Sequence, residues 1–235
     1  DLAYTVSEIT GANPVISTAT DLNKKFSVDS FAVSRNMAIG NMKTAKDVSA
    51  AVLQNEKIGF KSDYPYTGNL PAELVGTDEP ELGIHVTSGS SSAFRKTLEL
   101  IPKNHVLGIG CRRNTPKEKI DNAVRKTLSE NNISIKSIRM IASIDLKSDE
   151  AGLLEFSDEL KVPIVFFTSD RLNALQNGDF TVSEFVRKTT GVDCVCERSA
   201  VLASTEGKIV IRKTGLDGVT VALAREPFEF NFGDE

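Results

Sequence analysis

From residue 105 onward, short apolar runs alternate with windows of helical periodicity, and this alternation leaves the chain few ways to fold. Strands are predicted at 105–110, 137–144 and 163–167. Helices are predicted at 116–130 and from about 150 to 160, and in the first of these Ile120, Ala123, Val124 and Leu128 share a face. Helices led by Ser169 and Ser183 and one at 200–203 follow, and strands at 208–211 and 219–224 close the series. Strands separated by helices of this length pair in parallel through right-handed crossovers. Ligands of such sheets bind outside the carboxyl ends of the strands. That rule selects three loops: 108–115, 143–150 and 193–199.

The first loop lies in HVLGIGCRRNTPKE (105–118). A buried strand loosens at Gly108 and Gly110, and Cys111, Arg112 and Arg113 follow. Thr115 then reads as an N-cap, Pro116 as the first helical residue and Glu118 as the capping-box acid. Two guanidinium groups beside unpaired backbone N–H donors suit phosphate or carboxylate. The plainer reading is a βα turn with solvated arginines. Asn114 and Thr115 stand where a dinucleotide site needs its third glycine, which disfavours that ligand.

The second loop offers Asp145, Lys147, Asp149 and Glu150. A carboxylate at a strand end can act as a general base and a lysine can hold an anion. Asp149 and Glu150 also fit simple charge complementarity at a helix start, whereas Asp145 and Lys147 precede the helix. The third loop offers Glu197, behind Cys194 and Cys196, either as a site carboxylate or as another helix-start acid. Cys111 and His105 could join the two cysteines in a metal site, but the spacing is not that of a zinc site, and none is predicted. His85 and His105 lie in strand-like runs and read as core or edge residues. No Ser/His/Asp constellation stands out, so a carboxylate has to serve as the base.

A net charge of -4 argues against a nucleic-acid binder, and the absence of Trp with 6% aromatics argues against a base-stacking surface. No apolar run reaches the length of a membrane span, and three cysteines fit a reducing cytoplasm. Residues 1–61 read as an α/β lobe. Its elements are an opening helix with Leu2, Val6 and Ile9 on one face, a strand at 14–17, a helix near 28–33, a helix capped by Thr44 and a strand at 57–61. A start inside a helix, without Met, implies an upstream piece. Residues 62–104 read as a connector of short β pieces (72–75, 83–86, 97–101), with a mobile serine-rich loop at 88–92. The expected architecture is α/β, with a parallel-sheet carboxyl-terminal domain (105–235), a smaller, incomplete amino-terminal lobe and a short β-rich connector.

LGIGCRRNTPKEKI (107–120), IASIDLKSDEAGLLEFSDEL (141–160), CERSAVLAS (196–204) and GVTVALA (218–224) resemble the carboxyl-terminal domain of the CbiG family. ITGANPVISTATDLN (9–23) and the helix before KIGF resemble the end of that family's amino-terminal domain, and the middle resembles its connecting domain. The family normally has more amino-terminal sequence. The resemblance implies a cytoplasmic hydrolase of anaerobic cobalamin (vitamin B12) biosynthesis. Water opens the δ-lactone of cobalt-precorrin 5A, acetaldehyde leaves, and cobalt-precorrin 5B remains. The cobalt arrives with the substrate, so no cofactor is implied. The implied partner is a cobalt-corrinoid small molecule, neither nucleic acid nor membrane, with a homodimer and transient contact with other enzymes of the pathway left open. Site roles follow from position alone. Gly108, Gly110, Cys111, Arg112, Arg113, Thr115 and Lys147 would receive the substrate, backbone N–H groups at 111–115 an oxyanion, and Asp145 or Glu197 would activate water. The alternative is a non-catalytic corrinoid-binding or scaffold protein of the same pathway.

Overall fold

A computed structural model describes residues 25–175 and 179–233; the helix and strand expected before residue 25 lie outside them. The Ser27 hydroxyl accepts the Ser30 N–H and opens α1 (Val28–Ser34), and β1 (Met37–Ile39) follows. The next helix, α2 (Met42–Leu53), is capped by Asn41, whose side chain accepts the N–H groups of Lys43 and Thr44. Thr44 is therefore inside the first turn and buried, not the cap. Asparagine is among the strongest N-caps and reaches both orphan donors at once. Val48, Ala51 and Val52 face the core as their spacing requires.

Strands β2 (Ile58–Ser62), β3 (Tyr66–Thr67), β4 (Leu74–Val75), β5 (Leu82–Val86) and β6 (Lys96–Pro102) come next. The first sheet has the order β1-β6-β5-β2-β4, parallel except for β1. The boundary expected at 61/62 falls inside β2, whose partners β4 and β5 both lie beyond it. Lobe and connector thus share one sheet. Strand alternation sends Ile58, Phe60, Ile84, Val86, Leu98 and Leu100 into a core with α1 and α2. The opposite face carries Gly59 and Gly83, paired across β2 and β5, and the Phe94 ring lies over both. A Cβ on Gly59 would stand 2.1 Å from that ring and one on Gly83 2.2 Å, so only glycines leave room for it.

The second sheet is built from β7 (His105–Cys111), α3 (Lys117–Glu130), β8 (Ile138–Ile144), α4 (Ala151–Leu160) and β9 (Ile164–Phe167). Helices α5 (Ser169–Asn173), α6 (Glu184–Thr190) and α7 (Val195–Ala203) follow, then β10 (Lys208–Leu216) and β11 (Val219–Arg225). The order is β10-β11-β7-β8-β9. The α/β class holds, with the parallel pairing confined to β7, β8 and β9. Strands β10 and β11 form a hairpin, because the Asp217-Gly218 turn, both residues at positive φ, is too short for a crossover, and β11 pairs antiparallel with β7. On one face Leu107 and Ile109 meet Ile120, Val124 and Leu128 of α3, and each such fully buried side chain contributes about 1.5–3 kcal/mol. On the other face α7 lies directly on the sheet. A Cβ on Gly108 would stand 1.8 Å from the Cys196 carbonyl oxygen, so the glycine sets how closely the helix approaches.

The two layers are joined at several points. The serine-rich segment is a docked clamp, not a mobile loop. The Ser134 N–H donates to the Ser88 carbonyl (2.7 Å), and the Ser90 hydroxyl donates to Asn132 Oδ1 (2.6 Å). The chain then returns to the first layer: β12 (Phe230–Asn231) pairs in parallel with β3, and Phe228, Phe230 and Phe232 pack into the first core. Arg35 fixes this tail through the Asn231 carbonyl (3.0 Å), Asn231 Oδ1 (2.6 Å) and the Gly233 carbonyl (2.7 Å).

Candidate functional site

Strands β7 and β8 end side by side, and the Ser143 hydroxyl donates to the Ile109 carbonyl (2.7 Å) near the end of the ladder. Beyond Cys111 the backbone turns at Asn114, which is left-handed (φ 57). Pro116, not Thr115, stands at the N-cap of α3, with no side-chain capping bond. The Thr115 hydroxyl instead donates to the Arg112 carbonyl (2.8 Å) within the turn. Proline's fixed φ supplies the extended entry instead.

Glu150 is the hub of this rim. It is buried at the N-cap of α4, and its Oε2 accepts the Asn114 N–H (2.8 Å). Its Oε1 takes Lys147 Nζ (3.2 Å) and Arg113 Nη1 (3.2 Å). Arg113 also reaches Asp149 Oδ1 (2.5 Å), and that bond holds the Asp149 carboxyl below its usual range. Arg113 and Lys147 are therefore balanced by two carboxylates, and Lys147 is buried. Among the described residues Arg112 makes no side-chain ion pair; its stem runs beside Gly218, where a Cβ would stand 3.0 Å from Arg112 Cδ. Two of the backbone donors expected to be free are taken: Arg112 N–H by the Gly218 carbonyl (3.2 Å) and Asn114 N–H by Glu150. Burial pushes the Cys111 thiol up, against thiolate chemistry there. Asp145 is exposed at the end of β8, where it opens a 3-10 turn, Asp145–Lys147. A hollow of about 430 Å³ lies between the starts of α3 and α4, lined by Arg113, Thr115, Lys117, Asp149 and Glu155 among others.

The first two loops meet on the α3 side of the sheet; the third packs on the other side, with Val195 and Cys196 against Gly110 and Gly108. Helix α7 begins near the same end of β7 but on the face opposite α3. Glu197 is fully buried there. Its Oε1 accepts the Thr181 hydroxyl (2.8 Å) and the Lys213 N–H (2.8 Å), and its Oε2 accepts the Thr181 N–H (2.7 Å). Burial alone would raise its pKa; the hydrogen bonds from Lys213 and Thr181 outweigh that and lower it. Buried and tied by three hydrogen bonds to Thr181 and Lys213, this carboxylate anchors the segment before α6 and β10 to α7. Nearby Asp193 takes Arg198 through both oxygens (2.7 and 3.1 Å), and Arg198 also binds the Leu172 and Leu175 carbonyls. Cys194 and Cys196 are buried with their sulfurs 3.9 Å apart. Among the described residues no three His, Cys, Asp or Glu side chains are placed to hold a metal.

Glu150 is the site residue that sequence reasoning undervalued. Its spacing of three from Lys147 was visible, but an acid at a helix start has the same pattern whether it hubs a cluster or merely complements the dipole.

Fold and rim together define a mixed α/β protein with two sheets, whose second sheet carries an ionic rim at the carboxyl ends of its parallel strands. Residues 105–224 match the family described as Cobalamin synthesis G C-terminus, and residues 26–102 match the Cobalamin biosynthesis central region. The chain belongs to the CbiG family. It is 29% identical over 248 residues to the cobalt-precorrin-5A hydrolase of Priestia megaterium, covering 97% of this chain and 66% of that protein. It is 29% identical over 226 residues to the cobalt-precorrin-5A hydrolase of Salmonella typhimurium, covering 91% and 64%. The chain thus spans just under two thirds of the length of these relatives. The crystal structure of CobE, a protein from the cobalamin (vitamin B12) biosynthetic pathway, superposes with a TM-score of 0.50 at 28% identity, covering 54% of this chain and 92% of that one. Among the described residues no helix is long and apolar enough to cross a membrane.

Proposed function

We propose that this chain opens the δ-lactone of cobalt-precorrin 5A with water, giving cobalt-precorrin 5B and acetaldehyde. The observation that carries this reading is the match of two family regions in order, beside relatives of that name aligned over nearly the whole chain. The substrate is a ring fringed with carboxylates, and the rim at the ends of β7 and β8 suits such a molecule. Arg112, without an ion pair of its own among the described residues, receives a substrate carboxylate. Arg113 and Lys147 act indirectly, holding Asp149 and Glu150 and so fixing the turn. Asp145, exposed at the rim and in no ion pair among the described residues, activates the attacking water. The cobalt is part of the substrate and needs no ligand from the protein.

The test is incubation of the chain with cobalt-precorrin 5A, reading acetaldehyde by a coupled dehydrogenase assay. Asp145→Asn should slow release on the order of 10²-fold or more, as loss of a general base does. Arg112→Ala should raise KM more than it lowers kcat. Tight corrinoid binding without acetaldehyde would replace the hydrolase reading by a binding or scaffold role.

A further inference from the structure

We propose that Asp63, His85 and Ser91 form a second hydrolytic centre, on the first sheet, in which Ser91 is an acyl-accepting nucleophile for a carboxylic ester or lactone. His85 Nε2 lies 3.0 Å from Asp63 Oδ1, and His85 Nδ1 lies 2.6 Å from Ser91 Oγ. Carboxylate, imidazole and hydroxyl thus stand in line, in the order that nucleophilic serine chemistry needs. The hydrogen-bond network fixes the proton positions. An ionised Asp63 can only accept, so it selects the ring tautomer with the proton on Nε2; Nδ1 is left to accept, and the Ser91 hydroxyl, which also accepts the Ala93 N–H (3.1 Å), donates to it. Nδ1 is then the free base, and Nε2 carries the hydrogen held by Asp63. The usual roles of the two ring nitrogens are exchanged; either serves once the other is oriented.

Position and rigidity support the assignment. Asp63 follows β2 and His85 lies near the end of β5, so the group occupies the carboxyl end of the parallel strands. It sits on the face turned away from α1 and α2, since His85 alternates with core residues Ile84 and Val86. Ser91 is fixed from three sides. Its N–H donates to Glu99 Oε1 (3.2 Å), Ser90 is clamped to Asn132, and Phe94 is seated on Gly59 and Gly83. The relay remains reachable: the His85 side chain is 14% exposed and that of Asp63 56%. A hollow of about 470 Å³ lies beyond Ser90 and Glu99, toward Arg125 and Asn132 of the second layer; none of the three relay residues lines it. The Ser92 N–H, one residue past the nucleophile, makes no hydrogen bond among the described residues, and a donor at that place serves an oxyanion in α/β-hydrolases.

The step balances without a further reagent. Ser91 Oγ bonds to the carbonyl carbon while its proton passes to His85 Nδ1. The ester C–O bond breaks, and the departing alkoxide takes that proton. Water then attacks the acyl-serine, His85 takes and returns a proton, and acid and free Ser91 result.

The test is to treat the full chain with a fluorophosphonate probe, map the adduct by peptide mass spectrometry, and follow p-nitrophenyl acetate turnover. A single adduct on Ser91, absent in Ser91→Ala and retained in Ser92→Ala, is the expected result. His85→Gln should slow ester turnover on the order of 10²- to 10⁴-fold. Asp63→Asn should slow it less, because Asp63 is more than half exposed. No adduct on the folded wild-type chain, or equal labelling of Ser90, Ser91 and Ser92, would overturn the proposal. Labelling unchanged in His85→Gln would overturn it too.

Discussion

At the carboxyl end of the second sheet, Arg113, Lys147, Asp149 and Glu150 satisfy one another, two cations against two carboxylates. At the carboxyl end of the first, Asp63, His85 and Ser91 form an open line that ends on a hydroxyl. The first cluster joins two loops whose paired residues lie 36 positions apart, and spends its charge on holding a turn. The second is assembled across strands and keeps a reactive atom at its end. Local density of chemically capable residues is thus a poor guide to availability; what matters is whether a lone pair or proton is left over once neighbours are served.

The comparison breaks most sharply at Glu150. Glu150→Ala leaves Lys147 buried without its partner and should cost about 3–5 kcal/mol in urea unfolding. A loss under about 1 kcal/mol would mean that the rim cluster is not a structural knot. Phe94→Ala comes next, at about 3 kcal/mol, the low end for a buried phenylalanine because the loop can partly collapse. It should also abolish probe labelling of Ser91 while leaving the second sheet intact by hydrogen exchange.

The other histidine sharpens the contrast. His105 is buried, and among the described residues neither ring nitrogen has a partner. Burial, with Arg225 nearby, lowers its pKa to about 4. The unfolded chain takes up this proton near pH 6.5 and the folded chain only near 4, so between them the unfolded state binds more protons. Stability should therefore fall by up to ~3 kcal/mol as pH drops through that window. His105→Leu should flatten the slope in thermal melts, and an unaltered slope would assign acid sensitivity elsewhere. Smallest of all, Asp149→Asn should leave the unfolding midpoint unchanged, since its pairing with Arg113 is exposed.

Much of the second sheet was legible because its helices show a clean 3.6 period. Ile120, Ala123, Val124 and Leu128 are all buried where the stripe put them. The capping residues were harder: Thr44 and Thr115 satisfy the same composition rule as Asn41, and only the backbone path decides which oxygen reaches which N–H. Glu197 was readable as an acid at a helix start, but its hydrogen bonds come from Thr181 and Lys213, brought in by the chain before α6 and by β10. The Asp63–His85–Ser91 line left no local signature, because parallel pairing of β2 with β5 creates it. The first layer was split at 61/62 for a similar reason: β2 finds its neighbours only after the chain has passed through the proline- and glycine-rich stretch.

The returning tail has a consequence for biosynthesis. Phe230 and Phe232 complete an aromatic nest with Phe31, Phe60 and Tyr66, yet they are translated after the whole second layer. On the ribosome, the earlier-made half must therefore wait with greasy rings uncovered until the later-made half has emerged and swung its strap back. Order of closure thus runs against order of synthesis here: the first layer, made before the second, is sealed after it.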